Sequence, residues 1–225
     1  MGFSYVRTMN FKDLFHFLEE LQQNNNKEWM DAHRKWYRSL REDFIYWLDD
    51  LDLTMAQLHQ DYYPTPGKKG INRINNNLMF HPHKPVYKDH FGAVLDKAPN
   101  SADFYIEIGL KQCLLAGGFW RPEAKTLRSI REGIDYDGGE LQKILDRASF
   151  RKLFGNLYED EKLTHAPKGF SNDHPYIDLI KNKTFAVVHE LDRDEVFRED
   201  FKEKIEQVYL EMLPFRQYLN NAITV

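Results

Sequence analysis

The chain predicts an α+β fold in which an antiparallel sheet packs against long N-terminal helices and a C-terminal helix. Three observations carry this expectation. Apolar residues recur at helical spacing through the N-terminal quarter, and Phe104, Ile106 and Ile108 alternate with Tyr105 and Glu107 as in a half-buried strand. Strand-like and helix-like segments do not alternate with the regular spacing that a parallel, crossover-built sheet needs.

Asn10 is a good N-cap before Phe11, Leu14, Phe15, Leu18 and Leu21, so the first helix is predicted over about 11–22, stopped by Asn24-Asn25-Asn26. A second, long helix opens near Lys27, with Trp29, Trp36, Leu40, Phe44, Trp47, Leu48, Leu51, Met55 and Leu58 on or near one face and a break expected near Asp49. Pro64, Pro66, Gly67 and Gly70 mark residues 61–70 as a connector. Beyond it, INRI, HFGAVL, DFYIEIGL and CLLAGGFW read as strands, the last two joined as a β-hairpin across Gly109 to Gln112. Pro122-Glu123 suits the first turn of a helix over about 122–132, and a further helix is expected over about 140–148 after Gly138-Gly139. TFAVVHEL at 184–191 reads as another strand, and a helix over about 201–220, with Pro214 as a kink, closes the fold. The whole, 1–225, reads as one domain with a helical part at 10–60 and a mixed part at 70–225.

A chain of 225 residues buries roughly 70–75% of its unfolded surface, and a 42% hydrophobic, 14% aromatic composition supplies the core to do so. The net charge of -4 makes nucleic acid an unlikely partner for the surface as a whole. One cysteine, Cys113, excludes an intrachain disulfide and any multi-cysteine metal site, which fits a cytoplasmic, reducing setting. The opening MGFSYVRTMN lacks an apolar stretch of signal-peptide length, Val6 breaks the myristoylation pattern, and no apolar run approaches a membrane span, so no membrane partner is expected.

The candidate site is Ile71 to Gly92, INRINNNLMFHPHKPVYKDHFG. Lys68, Lys69, Arg73, Lys84, Lys88 and Lys97 outnumber Asp89 and Asp96 across 68–97, a local balance of six minus two, or +4. Arg73, Lys84 and Lys88 supply charge and Asn76 and Asn77 directional donors, with Tyr87 adding a hydroxyl. This set suits a small anion or an anionic group of a larger ligand. The bland alternative pairs Arg73 with a carboxylate such as Glu107 and leaves the lysines in solvent. Farther on, AGGFWRPE presents a glycine pair before a helix start, and Arg121 could join the same pocket.

FGAVL, AGGFWRPE, PKGF and DHPYIDLIKNKTFAV, in that order after NNNKEWMDAHRKWY, resemble the domain of unknown function 2461 family over nearly the whole chain. The resemblance implies no established reaction, cofactor or catalytic residue. Against the family-like pattern R-I-N-R-D-V-R-F-S-K-D-K-T-P-Y-K, this chain keeps Arg73, Lys84, Tyr87 and Lys88. It has Asn76 and Met79 in place of arginines, Asn77 in place of aspartate and His83 in place of a second acidic residue. Asn77 keeps the shape of Asp without its charge, so a hydrogen-bonded architecture is compatible with these exchanges where proton transfer is not.

His81, His83 and His90 could face a metal, but Pro82 and Pro85 favour a loop and no carboxylate has ligand spacing, so no metal and no cofactor are expected. Cys113 has no nucleophile motif, and P-loop, GxGxxG, GxSxG and HExxH motifs are missing from the sequence. Two classes of function fit: a binder or enzyme of a small anionic ligand in the basic strand-loop pocket, or a non-catalytic protein-protein interaction module. A weaker third is a single-stranded nucleic-acid binder stacking bases on Tyr87, Phe91 and Trp120.

Overall fold

The computed structural model describes residues 8–159 and 161–224; the part of the N-terminal reading that rests on residues 1–7, Val6 included, lies outside the described residues. The elements in chain order are α1 (Phe11–Gln23), α2 (Lys27–Ala32), α3 (Arg34–Leu58), α4 (Gly67–Gly70), β1 (His90–Leu95), β2 (Asp103–Gly109) and β3 (Cys113–Phe119). They are followed by α5 (Ala124–Asp146), α6 (Ala148–Phe154), α7 (Ile177–Ile180), β4 (Phe185–Leu191), α8 (Arg193–Val196) and α9 (Phe201–Ala222). The four strands form one antiparallel sheet in the order β1-β2-β3-β4, which is the α+β architecture expected.

The described residues divide into two compact units, the first comprising 8–96, 105–114 and 190–202, the second 97–104, 115–159, 161–189 and 203–224. In the first, the Asn10 side chain accepts the Asp13 N–H and starts α1, whose Leu14, Phe15, Phe17, Leu18 and Leu21 are buried. Phe17 packs edge-on against Trp36, and Phe44 of α3 packs against Phe91 of β1 with ring centroids 5.4 Å apart. Phe44, Leu48, Leu51 and Met55 continue the buried stripe of α3, so aromatic burial rather than intrinsic propensity holds these helices.

The expected break near Asp49 does not occur. The interruption falls at His33, whose ring stacks on Trp29 and whose Nδ1 lies 2.8 Å from the Trp29 carbonyl oxygen. Asp49 instead accepts the Gly67 N–H at 2.7 Å, while the buried Asp52 accepts the Tyr62 hydroxyl at 2.6 Å and the Thr65 N–H at 2.7 Å. Two carboxylates on one helix thereby pin the connector and fix where the following segment begins.

INRI is not a strand. Ile71 bridges Ala93 while Asn75 bridges Tyr87, so the segment leaves one neighbour for another within four residues and no continuous ladder forms.

In the second unit, Phe104 of β2 packs edge-on against Tyr209 of α9 at 5.2 Å, and buried Val208, Met212, Phe215 and Leu219 complete the inner face of that helix. The buried Arg216 donates from Nε and Nη2 to the Ala102 carbonyl. The two helices expected within 122–148 run as one, α5, bent at Asp137 (φ -144°, ψ 56°). Gly118 has φ 116°, and a Cβ there would collide with the Phe185 carbonyl of β4. Gly118 therefore serves strand packing, while a Cβ at Gly117 would collide with Met212 of α9.

Candidate functional site

Residues 72–88 form a hairpin-like arm at the start of β1. Asn72 N–H donates to the Gly92 carbonyl at 2.8 Å, Lys88 N–H to Ile74 at 2.8 Å and Asn76 N–H to Val86 at 2.9 Å. Its far end is closed by two successive turns, His81 N–H to Asn77 O at 3.0 Å and Lys84 N–H to His81 O at 3.1 Å. The base is clamped by the asparagine-rich turn between α1 and α2. Asn24 caps the end of α1 and Asn26 accepts the Trp29 N–H to start α2. Asn25 between them donates to the Tyr87 carbonyl at 3.0 Å and accepts the Tyr87 N–H at 2.8 Å. Gln22 adds a bond to the Lys88 carbonyl at 3.2 Å.

Lys88 is half-buried. Burial pushes its ammonium below the ordinary lysine value, Glu107 acts against this, and Lys84 and Arg73 push it down further. Those two cations therefore lie within electrostatic reach of Lys88. Among the described residues, no side-chain hydrogen bond or ion pair holds Arg73, Lys84 or the Lys88 ammonium. Asn76 spends one amide proton on the Pro85 carbonyl at 2.8 Å and so braces the arm. The Asn77 side chain is exposed, and its carbonyl closes the first turn of the tip.

Tyr87 points elsewhere. Its ring is buried, and its hydroxyl is raised by burial while feeling Arg34, Asp31 and Glu28 of the α2–α3 region. Consecutive residues on an extended segment face opposite ways, which separates the surroundings of Tyr87 from those of Lys88. Phe91 is buried as well, against Phe44, so neither ring offers a face to a base. Arg121 belongs to the second unit. It adopts φ 43°, lies 3.8 Å from Glu161, and lines a groove of about 340 Å³ with Leu127, Arg131, Leu163 and Lys183. Lys183 also pairs with Glu161, at 2.7 Å, and Arg131 bonds the Ile180 and Asn182 carbonyls, so the cations of this groove are already engaged. Trp120 lies against Tyr158. A larger depression of about 830 Å³ in the first unit is lined by Phe11, Trp47 and Phe201, apart from the cationic arm; its Lys202 is paired with Asp50.

Below Lys88 lies a polar hub that the sequence reading missed. Glu107 accepts the Tyr105 hydroxyl at 2.7 Å on one oxygen and Gln112 Nε2 at 2.8 Å on the other, with His90 Nε2 3.6 Å away. His90 Nδ1 is 3.1 Å from Asp89, which Lys111 approaches to 3.2 Å. Burial would raise the Asp89 carboxyl, but hydrogen bonds from His90 and Lys111 more than offset it and hold it below the usual range. Burial and the adjacent Glu107 raise the Tyr105 hydroxyl far above the ordinary tyrosine value. Gly92 lies directly beneath that hydroxyl, where a Cβ would come within 2.6 Å of it. Both oxygens of Glu107 are occupied, so it is a counter-charge at the foot of the arm and a poor base toward an incoming ligand. It is also not the partner of Arg73. The sequence signal for the hub is the i, i+2 pair Tyr105 and Glu107 on one strand face, and for the clamp a third asparagine where two caps suffice.

Among the described residues, no group of three or more His, Cys, Asp or Glu is arranged to hold a metal ion, and no helix is long and apolar enough to cross a membrane.

A four-stranded antiparallel sheet in a largely helical chain, with a clamped cationic arm before its first strand, defines an α+β protein. The chain belongs to the DUF2461 family of conserved hypothetical proteins, whose model matches residues 13–218. No curated protein and no solved structure matches it.

Proposed function

We propose that the arm binds a small anion, or an anionic group of a larger ligand, through Arg73, Lys84 and Lys88. The observation that supports this reading is the gathering of cations on the arm: among the described residues no side-chain hydrogen bond or ion pair holds Arg73, Lys84 or the Lys88 ammonium, and Lys88, lowered first by burial, is pushed down further by Lys84 and Arg73 while Glu107 acts against this. An incoming anion relieves the repulsion among the three cations and adds to the counter-charge that Glu107 supplies at the foot of the arm. Asn77 adds an amide donor at the exposed end. Asn76 and the Asn25 clamp hold the arm in shape, and Glu107 limits how deeply negative charge enters. The hub has no open acid or base directed at a ligand, so binding is favoured over catalysis, in keeping with the Asn76, Asn77 and Met79 exchanges.

The test is thermal stability in phosphate against chloride at matched ionic strength. Phosphate is expected to raise the melting temperature of the wild type and to do so less in Arg73→Ala and Lys84→Ala, since a ligand bound to the folded state stabilises by mass action. Equal shifts in all three proteins would exclude a site on this arm.

A further inference from the structure

We infer that the tip of this arm docks on an anionic lipid surface. The observation is the pair Met79 and Phe80, adjacent in the turn closed by the His81 N–H to Asn77 O bond, with 79% and 69% of their surfaces exposed. Met79 and Phe80 are neighbours in sequence within one closed turn, so their exposed side chains lie at the same end of the arm, and two adjacent apolar groups beside cations suit a contact surface. Their setting selects the partner. From Ile71 to Lys88 the chain carries Arg73, Lys84 and Lys88 and no Asp or Glu, a net +3 with His81 and His83 counted as neutral. Apolar side chains at a protruding tip with cations behind them match the two layers of a bilayer surface: the tip enters the boundary of the acyl chains while the cations meet headgroup phosphates. A nucleic-acid strand would need a row of stacking faces, but Tyr87 and Phe91 are buried and Phe80 alone is presented in this segment. A bilayer, unlike a folded partner, needs no shaped pocket to accept Met79 and Phe80.

This inference rests on the anion reading of Arg73, Lys84 and Lys88 and names the surface that supplies the anion. It requires no membrane-spanning segment, and it departs from the sequence expectation of no membrane partner, which rested on spanning and anchoring signals rather than on surface docking. The experiment measures partition onto vesicles of phosphatidylcholine alone and of phosphatidylcholine mixed with phosphatidylserine, using the wild type, the double variant Met79→Ser with Phe80→Ser, and Lys84→Glu. Binding is expected only to the mixed vesicles, weakened about tenfold or more in both variants, and abolished by high salt in the wild type. Phe80→Trp serves as a reporter: its emission is expected to shift to the blue on mixed vesicles and to remain unchanged with inorganic phosphate. The double variant should keep the phosphate-dependent stabilisation of the wild type, because its changes leave the three cations in place. Failure to bind mixed vesicles, or binding indifferent to the tip changes, overturns the inference. If phosphate still stabilises through Arg73 and Lys84 in that case, the anion site survives without the lipid surface; if it does not, both readings fall. Tip-dependent binding to a single-stranded oligonucleotide but not to vesicles would also overturn it.

Discussion

Asn25 hydrogen-bonds both backbone groups of Tyr87, its amide nitrogen donating to the carbonyl at 3.0 Å and its oxygen accepting the N–H at 2.8 Å. A side-chain amide has the same donor and acceptor spacing as a peptide group, so a residue between two helices stands in for a neighbouring strand. The base of the cationic arm is thereby fixed to the α1–α2 turn across sixty-two residues of sequence.

Asn25→Ala leaves both Tyr87 groups without this partner and is expected to cost about 1–3 kcal/mol in urea unfolding. Asn25→Asp retains an acceptor for the N–H but sets a carboxylate against the Tyr87 carbonyl. It should be comparably destabilised at neutral pH and recover in part in acid, where the introduced carboxyl can donate.

Gly118→Ala forces a Cβ into the Phe185 carbonyl at φ 116°. Strain of this kind with no flexible atom to yield predicts a loss of about 3 kcal/mol or more. Thermal unfolding of the purified variant checks it, and a melting temperature equal to that of the wild type would show that the β3–β4 contact is looser than described.

Lys88→Met removes a half-buried ammonium lowered by burial and by Lys84 and Arg73. Because the folded state binds this proton less readily than the unfolded chain, Lys88 works against stability at neutral pH. The penalty disappears as pH rises through the lowered value toward the ordinary lysine value near 10.4. The variant should therefore be more stable than the wild type at pH 7, by less than about 1 kcal/mol after allowance for solvent screening, and the advantage should vanish in alkali. Paired melting curves across that range provide the check.

Tyr62 and Tyr105 have hydroxyls raised by burial and by hydrogen bonds to Asp52 and Glu107. In an ultraviolet titration they should remain protonated where ordinary tyrosines ionise, near pH 10. A raised acid stabilises the folded state below its unfolded value, and this contribution is lost as pH climbs above that value. Tyr105→Phe should thus flatten the alkaline loss of stability and cost about 1 kcal/mol at pH 7.

The parts of this fold set by local periodicity were legible from residues alone: the buried stripe from Leu14 to Leu21, the alternation of Phe104, Ile106 and Ile108, and the turn joining β2 to β3. What failed depended on distant partners. Asp49 looks like a helix break until the Gly67 N–H takes its carboxylate, and INRI has strand composition but is split between Ala93 and Tyr87. At the candidate site the charge of Arg73, Lys84 and Lys88 was readable. The opposite facing of Tyr87, the siting of Arg121 in the second unit beside Glu161, and the hub at Glu107 were not, because each follows from how separate segments are brought together.

The most direct measurement for the anion site is a titration of isotope-labelled protein with phosphate at constant ionic strength, followed by amide chemical shifts. Saturable shifts confined to the arm, strongest at Arg73, Asn77, Lys84 and Lys88 and lost in Arg73→Ala, are the predicted result. Shifts that grow linearly without saturation, or that cluster at Arg121 and Lys183 instead, would contradict it.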